Sequence, residues 1–406
     1  MIYWEVFKIS ALSLRANRLR AFLTLLGVII GVASVITIIS ALEGMSQSIA
    51  SELESLGPTT FFVNRFGLIT SHEGFMEAIK RKKLKPEYAK YISEGCEECE
   101  EVALYADTWR SVKYRNKKIR DVRIKGGTAN LINIIDTKLD QGRFHTAGED
   151  ETRSRVAFIG TTILDEFFTG IDPLGKSIKI NNIKYTIIGV AEKQGAKFGE
   201  DPDREVYIPF SAFMKDFAER YYDLAIFVKA RSLENMDLAM DQTRVVLRAV
   251  RHVPYNKDDD FGIITADAIM KIVNDTTKYI RVGLIGISSI ALIVGGIIIM
   301  NIMMVSVTER TREIGIRKAI GARQRDILLQ FLYESLILSL GGGLIGITIG
   351  VLSGNILIGL IDMNMTSSAF AIVIGLAIST GTGLFFGIYP AMKAARLQPV
   401  KALSYE

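Results

Sequence analysis

Four long apolar runs punctuate the chain, at residues 21–42, 282–308, 327–361 and 363–392. Three of them carry no charged side chain, and the third run carries only Glu334. A helix of ~20 apolar residues crosses the ~30 Å hydrocarbon core, and one Asp, Lys or Arg at its centre costs about 2.5–3.5 kcal/mol. Runs this clean are expected of membrane spans rather than of core helices in a soluble fold. None of them alternates polar with apolar positions, so helices are expected rather than barrel strands. The pattern predicts spans at 21–43, 281–308, 327–360 and 368–391, with a short loop at 361–367 between the last two.

The stretch between the first two spans, residues 44–280, has ordinary globular patterning and is long enough to bury a core. Its start continues the first helix until Gly57-Pro58 stops it. Thr59 to Asn64 is strand-like, and Pro86 opens a helix at about residues 87–94. From Val102 to about Phe210 strands and turns dominate: WRSVKYRN alternates, RVAFIG is a short buried strand, and SIKI-NN-IKYTIIGV turns at Asn181-Asn182. A helix is expected over 232–251 with Ser232 as its cap, then the strand FGIIT, then a helix from Ala266 into the second span. The pattern predicts two α+β subdomains, one built from both ends of the insert and one from its middle.

Charge sets the orientation. Lys8, Arg15, Arg18 and Arg20 precede the first span. Arg310, Arg312, Arg317, Lys318, Arg323 and Arg325 fill the link between the second and third, and Lys393, Arg396 and Lys401 follow the fourth. The loop at 361–367 has no Lys or Arg. The positive-inside rule therefore puts these three segments and both termini in the cytoplasm and the insert outside. Residues 44–280 hold 35 basic and 36 acidic side chains, so the overall net charge of +5 resides in the membrane part. It signals orientation, and nucleic-acid binding is not expected. The leader over residues 1–20, with Trp4, Phe7, Leu12 and Leu14 among basic residues, reads as an interfacial helix, and the first span as a retained anchor.

Few residues suggest chemistry. Gly170-IDPL-Gly175-Lys176-Ser177 satisfies the phosphate-loop pattern, but a helix precedes it and a hairpin follows, the reverse of what a phosphate cradle needs. Cys96 and Cys99 allow a local disulfide outside the cytosol or free thiols without a function. Two thiols and three scattered histidines (His72, His145, His252) do not complete a tetrahedral zinc site, and no metal is expected. Glu334 is a functional candidate as an intramembrane carboxylate, or it reaches the headgroups or pairs with a neighbouring arginine. Glycines recur four apart: Gly27 and Gly31, then Gly342, Gly346, Gly350 and Gly354, then Gly383 and Gly387. Such rows permit close helix packing, against the plain alternative of glycine tolerance in spans. No span carries a polar stripe that would line an aqueous path.

The link ERTREIGIRKAIGARQRD, residues 309–326, is the most informative segment. Ile314, Ile316 and Ile320 supply an apolar side, Glu313 and Arg317 form a favourable pair, and Gly321 can end the helix in the left-handed conformation. Docking into a partner and simple anchoring at the headgroups both fit.

This link, with LTLLGVIIGVASVI, DPLGKSIKINNIKYTIIGV, LYESLILSLGGGLIGITIG and YPAMKAARLQPVKAL, resembles MacB/FtsX-type ABC transporter permeases over nearly the whole chain. The resemblance implies a membrane α-helical fold of four spans with a large α+β extracytoplasmic domain between the first and second. That domain would divide into a porter-like part (44–101 plus 220–280) and a β-rich part (102–219). It makes 309–326 a coupling helix, with Glu309, Arg310, Glu313, Gly315, Arg317, Ala319, Gly321 and Ala322 contacting an ATP-binding subunit. The ATPase fused in some members has no counterpart here, so ATP and magnesium are expected in a separate subunit, and this chain is expected to bind no cofactor and to be no enzyme. The resemblance further implies a pair of permeases in the cell membrane, with an adaptor or other extracytoplasmic partner. Two functions follow: a force-transmitting exporter or extractor of peptides, lipoproteins or drugs, or an FtsX-like regulator of an extracytoplasmic partner.

Overall fold

The computed structural model describes residues 18–54, 57–69, 71–135, 137–194, 201–217, 223–359 and 369–403. Most of the leader and the loop at 361–367 therefore lie outside the described residues. The chain divides into two units, residues 1–46 with 275–406, and residues 47–274.

Among the described residues, four helices are long and apolar enough to cross a membrane: Arg18–Glu54, Ala266–Glu309, Gln324–Gly359 and Ala369–Ala395. At 1.5 Å per residue, the 44 residues of Ala266–Glu309 extend about 66 Å, roughly twice the hydrocarbon thickness. The second helix thus runs well beyond the expected span at its N-terminal end, as the sequence from Ala266 anticipates. Ala369–Ala395 contains Pro390 near the end of its uncharged run, where a missing N–H is tolerated in a membrane helix.

Among the described residues the insert has ten strands: β1 Thr60–Asn64, β2 Cys99–Tyr114, β3 Lys117–Gly127, β4 Leu139–Gly142, β5 Val156–Ile159, β6 Ser177–Ile180, β7 Ile183–Ala191, β8 Glu205–Pro209, β9 Leu224–Ala230 and β10 Gly262–Thr265. They form one sheet in the order β10-β1-β9-β2-β3-β8-β5-β7-β4, with β6 pairing β2 and β7. The boundary expected between residues 101 and 102 falls inside β2. The first part of β2 pairs β9 through residues 99–106, and its remainder pairs β3 from Tyr105 to Tyr114. No Gly or Pro interrupts those 16 residues, so nothing in the backbone separates the two parts. A register shift between Arg110 and Val112 bends the strand instead.

One face of the sheet buries Phe61, Val63, Ile124, Ile159, Ile187, Val206, Ile226 and Val228 in the main core. The opposite face carries a smaller cluster around Ala103, Phe144, Phe158, Tyr207 and Phe227. Period-two alternation distributes neighbours in β5, β8 and β9 between the two faces. The β6–β7 hairpin turns at Asn181 (φ 46°) and Asn182 (φ 70°), both left-handed as a two-residue turn requires. The helix expected from Ser232 begins later, at Met236: Ser232 Oγ accepts from the Asn235 N–H at 3.2 Å and caps the preceding turn instead. The sequence pattern does not predict helix His72–Lys80. Only Ala78 is buried along it, while Phe75, Met76 and Ile79 are exposed, so it lacks the inward stripe that betrays a helix.

Cys96 and Cys99 are joined as a disulfide, with Cα atoms 5.4 Å apart. The bridge links the end of helix Glu87–Gly95 to the start of β2 and packs beside Ala239 and Thr243 of helix Met236–Val250. Gly170 and Gly175 occupy left-handed turns, and Ser177 starts β6 rather than a helix. The amides of the phosphate-loop pattern therefore enter a sheet.

His145 is buried, and its Nε2–H donates to the Gly127 carbonyl at 2.9 Å. Burial pushes its imidazole below the usual value. The folded state prefers the neutral ring, so this contribution is complete above an unfolded value of about 6.5 and is lost as pH falls below it. Nearby Arg143 holds the Glu149 carboxyl down at about 2, so that group's contribution is lost only in stronger acid. Thermal unfolding of the insert, followed at Trp109 in the full chain, is expected to shift downward between about pH 6.5 and pH 5. His145→Gln should flatten that slope; an unchanged slope would assign it elsewhere.

Candidate functional site

The link between the second and third long helices is a separate helix, Thr311–Ala319. Arg310, with φ −102° and ψ 15°, breaks the preceding helix. At the other end Gly321 takes φ +104°, and two bonds close the motif: Gly321 N–H to Lys318 O, and Ala322 N–H to Arg317 O, both 3.1 Å. This pairing is the Schellman ending, and it needs a residue that tolerates positive φ. The chain then turns directly into Gln324–Gly359.

The three isoleucines do not share one side. Ile314 is 1% exposed and joins the core of the bundle, whereas Ile316 is 45% and Ile320 83% exposed. Two residues around a helix is a rotation of about 200°, which turns Ile314 away from the other two. Gly315 is buried as well. A Cβ there would stand 2.7 Å from Ala402 Cβ in helix Pro399–Leu403, so it packs the link against the chain's end instead of offering contact surface. Of the other residues expected to contact an ATPase, Glu309, Glu313, Ala319 and Gly321 are exposed, and Arg310, Arg317 and Ala322 are partly buried.

The inward side is held by cations. Arg317 pairs with Glu313 and donates to Gln330 Oε1 at 2.7 Å. Lys318 Nζ donates to the carbonyls of Ala395 (2.5 Å) and Leu397 (2.8 Å), closing the end of the fourth long helix. Desolvation lowers the pKa of that ammonium. Glu334, left open between three readings by the sequence, pairs with Arg310 at 3.4 Å. Sequence reasoning missed Gln330 and Lys318; the i, i+4 spacing of Gln330 and Glu334 was the one available signal.

The glycines mark where the long helices meet. Gly27 and Gly295 face each other backbone to backbone, and a Cβ on Gly27 would stand 2.6 Å from the Gly295 Cα. Gly31 receives the Leu292 side chain. Gly342, Gly346 and Gly350 lie against Val28, Ile29, Val32, Ala33 and Ile36 of the first long helix. Gly354 extends that row and is buried. Thr37 Oγ1 donates to the Gly350 carbonyl at 3.2 Å. Gly383 and Gly387 receive Ser339 and Ser335 from the third helix, while Ser379 donates to the Ser339 carbonyl. With no hydrophobic drive between helices in lipid, close backbone approach and such hydroxyl bonds supply the association. Among the described residues, no three His, Cys, Asp or Glu side chains converge to hold a metal.

Known proteins are similar to this chain in sequence. The MacB-like periplasmic core domain profile matches residues 21–246, and the FtsX-like permease C-terminal profile matches residues 285–399. The chain is 34% identical over 396 residues to the macrolide export ATP-binding/permease protein MacB of Bdellovibrio bacteriovorus, covering 97% of this chain and 60% of that protein. It is 36% identical over 416 residues to the MacB protein of Chlorobium luteolum, covering 97% and 59%. The chain thus spans about 60% of the length of the curated relatives it matches. The crystal structure of the periplasmic region of MacB from Actinobacillus actinomycetemcomitans aligns with a TM-score of 0.46 at 19% identity, over 56% of this chain and 97% of that one. Matched over nearly its whole length by these relatives and by the two profiles, this four-helix membrane protein belongs to the MacB/FtsX family of ABC transporter permeases.

Proposed function

We propose that this chain is the permease subunit that couples ATP hydrolysis, performed by a separate ATP-binding subunit carrying ATP and magnesium, to motion of its extracytoplasmic insert. The observation that supports this most is the link. Its outer side presents Ile316 and Ile320 to solvent, while its inner side is fastened by Arg317 and Lys318 to the third and fourth long helices. An apolar pair exposed on a short, firmly held helix suits insertion into a partner's groove. Glu309, Glu313 and Ala319 rim it. The basic residues of this link orient it toward the cytoplasm, where the ATP-binding subunit resides.

The spans serve as a lever in this reading. Their glycine-mediated contacts hold helices together, and no polar stripe runs along their sequences, which favours work on substrates already outside the membrane: peptides, lipoproteins or drugs. Macrolide export, named for the relatives, is one activity to assay. The outward Ile287, Ile290 and Ile293 of the second long helix supply an apolar face for lipid or for a second copy of the permease. An adaptor or outer partner would engage the insert.

Co-purification from native membranes tests the reading. An ATP-binding subunit is expected to accompany the chain through detergent extraction at a fixed stoichiometry. A chain that purifies without one under conditions preserving its fold would overturn it.

A further inference from the structure

Glu334 is 5% exposed and sits inside the third long helix, where an unpaired carboxylate would be costly. Its partner is Arg310, the one residue whose backbone separates the second long helix from the link. The pair therefore fastens a joint. One turn before Glu334, Gln330 accepts from Arg317 at the far end of the link. Two polar ties thus reach from the link to positions four apart on the third helix, one from each end of Thr311–Ala319.

Stability is a weak reason for such a pair. Taking two charges out of water carries a desolvation penalty that can exceed their attraction, and well-packed apolar replacements are often neutral or stabilising. What apolar packing does not supply is a tie of fixed partner and direction. Thr311 next to the joint is buried and returns its hydroxyl to Val307 and Thr308 (3.0 and 2.9 Å), which closes the end of the second helix around the arginine.

We infer that the Arg310–Glu334 ion pair is a positioning element that delivers displacement of the link to the third span. The inference rests on the coupling function proposed above and names the contact that carries it. Displacing the link through Ile316 and Ile320 would pull on Arg310, and Arg310 would draw the third helix with it. Without the pair, the ATP-binding subunit would still dock and hydrolyse ATP, but the third span would no longer follow.

The test uses the full chain in complex with the ATP-binding subunit that accompanies it. A cysteine replacing Asn355, exposed on the third long helix, is labelled with a maleimide with and without ATP and magnesium. Wild-type pairing is expected to give an ATP-dependent labelling rate. Glu334→Leu, which changes no residue expected at the docking surface, should lose that dependence while keeping ATPase binding and hydrolysis. The reversed pair Arg310→Glu/Glu334→Arg should restore it, which a purely structural role would not require. Should Glu334→Leu insert poorly, the isosteric Glu334→Gln is expected to lose the dependence in the same way. A neutral variant that responds to ATP as the wild type does would overturn the inference and leave the coupling function standing. No ATP response in the wild-type complex would overturn both.

Discussion

Ile320→Asp is expected to weaken binding of the ATP-binding subunit by roughly 30-fold or more, with no change in the permease's own thermal stability. The two halves of this expectation have separate causes. At 83% exposure Ile320 contributes little to the permease core, so a carboxylate there is solvated in the free chain. Once docked, the same carboxylate would be desolvated in an apolar groove, and losses at such central contacts reach about 2 kcal/mol or more, a factor of roughly 30. Ile316→Asp should act in the same direction. Arg312→Ala, at an exposed position one turn before Ile316, removes no apolar contact and should change binding less. Affinity of both isoleucine variants, measured by titration of the purified subunit, decides the matter. Wild-type affinity for both would show that the apolar pair is not the docking contact.

Gly346→Leu is expected to disrupt the helix bundle, which makes it the second large effect. A Cβ at Gly346 would stand 2.9 Å from the Ile29 carbonyl oxygen and 3.1 Å from Val32 Cβ, so backbone as well as side chain must give way. Overpacking of this kind costs about 1–3 kcal/mol for a few added methylenes, and leucine adds more than a methyl. Gly295→Leu, against the backbone of Gly27, should be comparably severe. Gly381→Leu provides the control, because nothing lies within 4 Å of the Cβ it would gain. Melting of the detergent-solubilised protein should fall for the first two and stay near wild type for the third. Equal behaviour of all three would argue against close packing at these rows.

These two predictions draw on unequal amounts of sequence information. The four spans were legible because uncharged runs of this length have few other uses, and Asn181-Asn182 was legible because a two-residue hairpin demands positive φ. The glycine rows showed one half of each contact. Their partners, Gly295 facing Gly27 and the serines facing Gly383 and Gly387, come from other helices and leave no local trace. The same holds for Glu334: its partner lies 24 residues away, across the turn at Gly321, and the arginines nearer in sequence, Arg323 and Arg325, were the obvious candidates.

Within the link, composition announced an apolar helix but misjudged its side. Reading Ile314, Ile316 and Ile320 as one side overlooked that positions two apart point nearly opposite ways on a helix. Gly315 misleads for a related reason. The family resemblance gives it a contact role, yet here it admits Ala402 and lets the chain's end buttress the link. In the insert, the split into two subdomains was expected from where the segments lie along the chain. The single sheet arises because β2 is long enough to pair with β9 at one end and with β3 at the other, and strand partners this distant follow no local pattern.

The central claim is that ATP drives motion of the insert through this permease. Hydrogen exchange across residues 47–274, compared in the assembled complex without nucleotide and during ATP turnover with magnesium, tests it most directly. The account predicts that exchange in the insert changes with ATP and returns when nucleotide is removed. An insert whose exchange is identical in both states, while the bound subunit hydrolyses ATP, would contradict it.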